Sequence, residues 1–103
     1  MIAIIYSPCP SEELAKEIGT KLLEEGLAAC INILPGMRSL YRWEGNLCDE
    51  KEWLMLAKAP ADKAQELQAR VAVLHPYECP CVLTLPVTDA HSPFTQWVID
   101  ETA

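Results

Sequence analysis

The sequence is short of the features that mark most catalytic and nucleic-acid-binding proteins. Its 103 residues include only 4 glycines, and 8 Lys and Arg stand against 15 Asp and Glu, for a formal net charge of -7. So few glycines leave no phosphate-cradling loop. The shortage of basic charge argues against nucleic acid or an anionic membrane as the main partner, because basic patches recognise such surfaces.

Catalytic signatures and membrane segments are equally scarce. No serine lies in a nucleophile elbow, and no H-E-x-x-H motif occurs. No apolar run approaches the roughly 18 residues that span a membrane, and the apolar start at residues 1–6 lacks the basic region of a signal peptide. We therefore expect a cytoplasmic protein without a familiar enzyme active site.

The cysteines lack the paired C-x-x-C spacing of a structural zinc site. Their odd number predicts free thiols in a reducing compartment. With 50% apolar and 22% charged residues, the chain has the composition of a packed globular protein, and its length predicts a single domain over residues 1–103. The five cysteines are Cys9, Cys30, Cys48, Cys79 and Cys81.

Alternating apolar residues predict strands, and apolar residues three or four apart predict helices. Ser11 is predicted to cap the first helix and Ser92 the last, with Pro93 at the first helical position. Gly45-Asn46 is predicted to be the tight turn of a long hairpin that Pro35-Gly36 bends. The predicted elements are strand 1–7, helix 11–26, hairpin strands 27–44 and 52–58, helix 60–74, strand 82–87 and a short helix from 92.

The order βαββαβ with a final helix predicts an α+β, ferredoxin-like fold. Right-handed crossovers place both main helices on one face of a four-stranded antiparallel sheet. The other face then carries more apolar side chains than one copy can cover, which predicts a homo-oligomer. The alternative is a hairpin that curls over its own core.

The densest polar chemistry lies in the run H-P-Y-E-C-P-C at residues 75–81. In an extended segment Cys79 and Cys81 point to the same side, and such a pair suits one soft ion such as Cu(I). His75 or Glu78 could add a ligand. The alternative is that both cysteines are small core side chains at the start of a strand.

The hairpin carries a second candidate site. Tyr41, Trp43 and Lys58 could line a pocket for an anionic or flat ligand, or could simply pack across the hairpin with the lysine in solvent. Cys30 stands among small apolar neighbours, where it is either a buried side chain or a pocket thiol.

Several segments in order resemble one known family. They are E-G-L-A-A-C-I-N at 25–32, P-G at 35–36, S-L-Y-R-W-E-G at 39–45, Lys58, H-P-Y-E at 75–78 with Pro80, L-P-V at 85–87, and Trp97. Together they cover essentially the whole chain and resemble the CutA family of divalent-cation tolerance proteins. The Y-R-W-E-G and H-P-Y-E segments are specific rather than compositional.

The resemblance implies a cytoplasmic, ferredoxin-like homotrimer, similar in architecture to the PII signalling proteins. It implies tolerance of copper and other divalent metals, with no established enzymatic reaction and no obligatory cofactor. It also implies a candidate ligand cleft between subunits. The residues that match family positions near this cleft are Cys30, Asn32, Tyr41, Trp43, Lys58, His75, Tyr77, Glu78 and Trp97.

The chain departs from the family pattern at a few positions. Cys79 stands where relatives carry an aliphatic residue, and Cys81 stands where they carry Glu. Two thiols at these positions make the candidate site a softer set of metal ligands in this chain. Ser7 and Leu74 stand where some members have Cys and His, so only His75 matches the copper-linked residues. Ala59 replaces a Thr, which removes a hydroxyl.

Two functions of different classes are predicted. The first is a trimeric, metal-responsive module that binds copper or another divalent cation through His75, Glu78, Cys79 and Cys81. The second is a PII-like signalling module whose cleft binds a small metabolite and whose trimer docks an unidentified protein. A hydrolase or transferase using Cys30 or His75 ranks below both, because no base and nucleophile pair is visible.

Overall fold

The computed structural model describes residues 1–103 and contains a four-stranded antiparallel sheet and three α-helices. The element order is the predicted one, and it forms the ferredoxin-like arrangement of an α+β fold. None of the helices has the length and hydrophobicity that crossing a bilayer requires. The elements are β1 (Ile2–Cys9), α1 (Glu12–Glu24), β2 (Cys30–Trp43), β3 (Asn46–Pro60), α2 (Ala64–Leu74, after a 3₁₀ turn at Ala61–Lys63), β4 (Leu83–Pro86) and α3 (Ser92–Glu101).

The strand order in the sheet is β2-β3-β1-β4, which leaves β2 and β4 at the edges. β1 pairs with β3 along its whole length, from Ile2 opposite Pro60 to Cys9 opposite Trp53. It pairs with β4 over only four residues, Ala3 to Tyr6. The last part of β1 therefore has a free side, and Pro86 lies on an edge strand where a missing N–H is tolerated.

Helices α1 and α2 cover one face of the sheet and form the core. Ile18 and Leu22 of α1 and Leu67 and Val71 of α2 are buried together with Met55 of β3. These are the helix faces that the apolar spacing predicted. The Ser11 hydroxyl accepts a hydrogen bond from the Leu14 N–H at 3.1 Å, which confirms the predicted cap of α1.

The second face of the sheet is only partly covered. Helix α3 contacts β1 and β3, and its Val98 is fully buried yet lies outside the core formed with α1 and α2. The Lys58 Nζ lies 5.6 Å from the Phe94 ring centroid, so α3 covers the end of this face near Lys58. Farther along the face, Leu34, Leu83 and Leu85 stay exposed.

The first strand is longer than predicted. It was expected to end before Pro8, but β1 continues through Pro8 and Cys9, which pair with Leu54 and Trp53. The Pro8 carbonyl accepts a hydrogen bond from His75, on the side of β1 that β4 does not reach. The missing N–H of Pro8 therefore costs no ladder hydrogen bond.

Further predicted boundaries are wrong. The returning hairpin strand was predicted at 52–58, but β3 begins at Asn46, directly after the turn. The hairpin turns at Glu44-Gly45, both with positive φ (50° and 82°) as a type I′ turn requires, and Asn46 pairs with Trp43. Pro60 ends β3 opposite Ile2 and does not begin α2. Helix α3 includes Ser92, and its capping position is His91, whose side chain makes no capping hydrogen bond.

Candidate functional site

A cleft of about 730 Å³ opens on the second face of the sheet, at the end away from α3. Its floor is formed by the outer halves of β2 and β3, and one wall by the segment 77–81 that crosses the end of β1. The cleft combines aromatic rings, carboxylates and thiols without any basic side chain. The lining residues are Tyr6, Pro8, Pro10, Met37, Ser39, Tyr41, Trp43, Glu50, Glu52, Tyr77, Glu78, Cys79 and Cys81.

A β-bulge aims the hairpin side chains into this cleft. The register between β2 and β3 shifts between Leu34 and Met37, where Pro35 and Gly36 stand opposite the single residue Trp53, and Gly36 has φ of 80°. Because one extra residue reverses the alternation, odd-numbered residues of β2 face the core before the bulge and the cleft after it. Tyr41 therefore lines the cleft although Ile33 packs against the core.

His75 fixes the wall of the cleft. Its Nδ1 accepts a hydrogen bond from the Tyr77 N–H at 3.3 Å, and its Nε2 then donates to the Pro8 carbonyl at 2.9 Å. The Ser7 hydroxyl donates to the Cys81 carbonyl at 2.8 Å at the other end of the segment. Both His75 and Ser7 are buried, so the segment 75–81 is held to β1 at two places.

Glu52 is a buried carboxylate in the floor of the cleft, with 5% of its surface exposed. The Tyr77 hydroxyl donates a hydrogen bond to its Oε2 at 2.8 Å. Partial burial, together with this bond and the negative charge of Glu52, raises the pKa of Tyr77 well above that of a free tyrosine. Tyr77 therefore stays a hydrogen-bond donor throughout the physiological pH range.

All five cysteines are free thiols, and they differ in access. Cys79 and Cys81 are exposed in the cleft, which contradicts the alternative that both are core side chains. Partial burial raises the pKa of Cys81, and the nearby Glu52 and Cys79 add to the effect. Cys9 is fully buried in the core, and burial with the charge of Glu52 raises its pKa to about 11.

These differences predict the order of alkylation. The rise in the pKa of Cys9 from 9.0 to about 11 lowers its thiolate fraction at pH 8 about 100-fold. The rate of alkylation falls with that fraction, because the thiolate is the nucleophile. We expect iodoacetamide to modify Cys79 at least 100-fold faster than Cys9 in the native protein, as followed by peptide mass spectrometry. The difference should vanish in denaturant, and equal native rates would contradict the buried position of Cys9.

Comparison with known proteins identifies the family. The model of the CutA1 divalent ion tolerance protein family matches residues 3–101. The chain belongs to the CutA family. The divalent-cation tolerance protein CutA of Thermus thermophilus is 38% identical over 102 residues, covering 99% of both chains. The CutA of Thermotoga maritima is 41% identical over 95 residues, covering 92% of this chain and 93% of the relative.

Solved structures agree with this CutA assignment. The structure of CutA from Archaeoglobus fulgidus matches with a TM-score of 0.96 at 34% identity, and each chain is covered completely. It is described as a periplasmic divalent cation tolerance protein, so the cytoplasmic location expected for this chain stays a prediction. The relatives are named for cation tolerance and not for an enzymatic reaction.

The residues that the CutA resemblance predicted for one cleft form two groups in a single chain. Tyr41, Trp43, Tyr77 and Glu78 line the cleft described above, together with Cys79 and Cys81. Cys30, Asn32, Lys58 and Trp97 belong to the other end of the sheet face. Lys58 is six residues from Glu52 along β3, a separation of about 20 Å at the rise of a strand.

The second group has its own contacts. Lys58 pairs with Cys30 across the sheet, and the Cys30 Sγ lies 3.7 Å from the Asn32 Oδ1. The Trp97 ring stacks on Phe94, with 5.8 Å between centroids, and Phe94 in turn meets Lys58. Cys30 is half-buried, so it is neither the fully buried side chain nor a thiol of the cleft.

The sequence interpretation missed the two carboxylates of the cleft floor. Glu50 pairs with Ser39 and Glu52 with Met37, so both share the face of Tyr41 and Trp43. Counting residues back from a turn at Glu44-Gly45 gives these pairs directly. A turn at Gly45-Asn46 would shift the partners by two positions and leave both carboxylates on the same face, so the alternation along the hairpin already carried the signal.

The carboxylates and thiols of the cleft do not form a preformed metal site. No group of three or more His, Cys, Asp and Glu side chains is positioned to hold a metal ion. Both ring nitrogens of His75 are engaged within the chain, so this predicted ligand acts here as a structural side chain.

Proposed function

We propose that this CutA family member serves divalent-cation tolerance as a homotrimeric binding module that takes up copper in its cleft. The observation that carries the proposal is the pair of exposed thiols, Cys79 and Cys81, in a cleft that also holds carboxylates. Thiolates select soft ions such as Cu(I) over Ca²⁺ or Mg²⁺. The five free thiols support a reducing, cytoplasmic location.

The two cysteines have the spacing for an ion of low coordination number. Both line the same cleft, and Cys79 contributes to the raised pKa of Cys81, so we propose that the two side chains approach one ion together. Glu78 adjoins Cys79 and could supply an oxygen ligand. His75 contributes by holding this segment against β1 rather than by binding the ion.

A trimer explains the apolar surface that one copy leaves uncovered. Large apolar side chains stay exposed on the hairpin and on the second sheet face, among them Leu34, Tyr41, Trp43, Leu83 and Leu85. Strands β2 and β4 also leave free edges, which further copies can extend. We propose that the group around Lys58 in one copy meets the cleft of its neighbour, which completes the intersubunit site. The family match over 3–101 supports one CutA domain per subunit.

The size of the cleft favours a second function. A cavity of about 730 Å³ lies within the range of about 300–1,000 Å³ typical of small-molecule sites and far exceeds one ion. We therefore keep the PII-like alternative, in which the trimer binds a metabolite here and docks a partner protein.

Copper uptake can be tested by native mass spectrometry of the reduced, metal-free protein titrated with Cu(I). We expect a trimer that binds one Cu(I) per subunit in competition with a chelator. The double variant Cys79→Ser/Cys81→Ser should bind at least tenfold more weakly. The double variant Cys9→Ala/Cys48→Ser, with an apolar replacement at the buried Cys9, is the matched control and should bind as the unmodified protein does.

The outcomes separate the proposals. Equal Cu(I) affinity in the two double variants would remove Cys79 and Cys81 from the site. A monomer at all concentrations would contradict the trimer and leave the cleft of the single chain as the binding unit. A trimer that takes up no metal would favour the metabolite site.

A further inference from the structure

We propose that Lys58 of one copy enters the cleft of its neighbour as the counter-ion of the carboxylates Glu50 and Glu52. The inference rests on the proposed trimer and adds the charged contact that fixes how two copies meet. Three observations carry it: a buried carboxylate without a cation in its own chain, a lysine without a carboxylate, and an apolar band between the two.

The charge of Glu52 is not compensated within the chain. Its surface is 5% exposed, its Oε2 accepts a hydrogen bond from the Tyr77 hydroxyl, and none of the ion pairs of the chain includes it. Its Oε1 makes no hydrogen bond, yet no buried side-chain oxygen lacks a partner, so Oε1 opens into the cleft. A buried charge without a counter-ion is costly, and a cation that reaches Oε1 from the cleft would offset that cost.

Lys58 is the one basic side chain on the second face of the sheet. It lies six residues after Glu52 on β3, and an even separation along a strand puts both side chains on the same face. The other seven of the 8 lysines and arginines lie elsewhere. Lys16, Lys21, Lys63 and Arg70 belong to the helical segments, and Arg38, Arg42 and Lys51 to the opposite face of the hairpin.

Lys58 also lacks a carboxylate partner. It forms no ion pair within its own chain, and its Nζ lies 5.6 Å from the Phe94 ring centroid. The separation of about 20 Å from Glu52 along the strand is far beyond the reach of a lysine side chain. The two opposite charges of one chain therefore cannot meet, whereas those of two copies can.

An apolar band separates the basic end of the face from the acidic end. Leu54 and Leu56 stand between Glu52 and Lys58 on β3, and leucines of the two edge strands flank them. The strand registers place Ile4, Leu34, Leu54, Leu56, Leu83 and Leu85 on this face. Those on the edge strands stay exposed in one copy, so the band needs a partner to cover it.

A second copy placed head to tail satisfies all three requirements at once. Its apolar band covers that of the first copy, while the basic end of one faces the acidic end of the other. Such a contact is heterologous, and it closes into a ring when each copy is rotated by the same angle. A ring of three gives every cleft one Lys58 from a neighbour, which is the arrangement of the proposed trimer.

A double-mutant cycle on assembly tests the ion pair. Lys58→Met keeps the apolar stem of the side chain and removes its charge, while Glu52→Gln keeps an oxygen that can accept the hydrogen bond from Tyr77. We expect each single variant to dissociate at concentrations at least tenfold higher than the unmodified protein, as measured by sedimentation equilibrium over a dilution series. The double variant should assemble at least as well as Lys58→Met alone, because it removes the stranded carboxylate.

Controls change the same charges outside the interface. Lys16→Met and Glu66→Gln alter exposed helix positions and should leave the assembly unchanged. If Glu52→Gln fails to fold, as judged by circular dichroism, Glu50→Gln at an exposed position completes the cycle with Lys58→Met.

Three results would overturn the ion pair: an assembly of Lys58→Met as stable as that of the unmodified protein, losses of the two single variants that multiply in the double variant, or an equal loss in the control variants. Failure of the proposed function gives a different result. A monomeric unmodified protein would contradict the trimer itself, and the ion pair with it. An unmodified trimer whose assembly does not depend on Lys58 would contradict only the ion pair.

Discussion

The free energy of unfolding of the variant Tyr77→Phe is expected to be about 1.5–3 kcal/mol lower than that of the unmodified protein, the range for a hydrogen bond to a charged group. The Tyr77 hydroxyl donates to the buried carboxylate of Glu52. Removing the hydroxyl leaves Oε2 of Glu52 without that donor in a site that is 5% exposed. Denaturant unfolding of both proteins at neutral pH measures the difference.

The pH dependence of this difference has a definite sign. The pKa of Tyr77 is raised in the folded protein, first by burial and then by Glu52, so the protonated phenol is the form that folding favours. Its contribution is fully present below the pKa of an unfolded tyrosine, about 10, and is lost as the pH rises above it. The stability gap between the two proteins should therefore be constant from pH 7 to 9 and shrink above about pH 10.

Tyr6→Phe is the matched control for Tyr77→Phe. Tyr6 also lines the cleft, but its hydroxyl has no carboxylate partner, so removing the same atom should change the stability by less than about 0.5 kcal/mol. An equal loss in the two variants would contradict a specific role for the bond to Glu52.

The sequence predicted the fold well because the apolar pattern is consistent along the whole chain. The spacing of Ile18 and Leu22 in α1 and of Leu67 and Val71 in α2 defines the two buried helix faces. Errors occurred where backbone context outweighs local preference. Pro8 looked like a strand end, yet it belongs to β1 because its missing donor faces the side that β4 does not reach.

The site was harder to predict than the fold. Its two thiols and Tyr77 lie within one short segment, so the sequence brought them together directly. Glu52 comes from a distant strand, and its place beside Tyr77 depends on how the segment 75–81 folds back on β1, the neighbour of β3. The bulge at Pro35-Gly36 separately decides that Tyr41 faces the cleft. A bulge of one residue exchanges the two faces of every later position, so side-chain direction cannot be extrapolated through it.

His75 illustrates a further limit of sequence interpretation. An imidazole beside a carboxylate and two thiols suggests a metal ligand. Its burial and its two hydrogen bonds, to the Pro8 carbonyl and from the Tyr77 N–H, depend on how the segment folds back on β1. No local pattern of residues contains that information.

Trp43→Ala is expected to weaken assembly by about 3–5 kcal/mol for each indole that the oligomer buries, the usual cost of truncating a buried aromatic side chain. In the single chain, 42% of Trp43 is exposed near the end of the hairpin, so the same change should cost the isolated subunit much less. The expected result is dissociation at concentrations at least 100-fold higher than for the unmodified protein, measured by sedimentation equilibrium over a dilution series.

Val73→Ala is the control for Trp43→Ala, because Val73 is an apolar residue that is 75% exposed on α2, away from the hairpin and the second sheet face. It should leave the assembly unchanged. Circular dichroism should give the same helix and strand content for Trp43→Ala and the unmodified protein, which separates loss of assembly from loss of fold. An assembly of Trp43→Ala that resists dilution as the unmodified protein does would show that the hairpin ends do not meet, and the trimer would then have to form through the sheet edges alone.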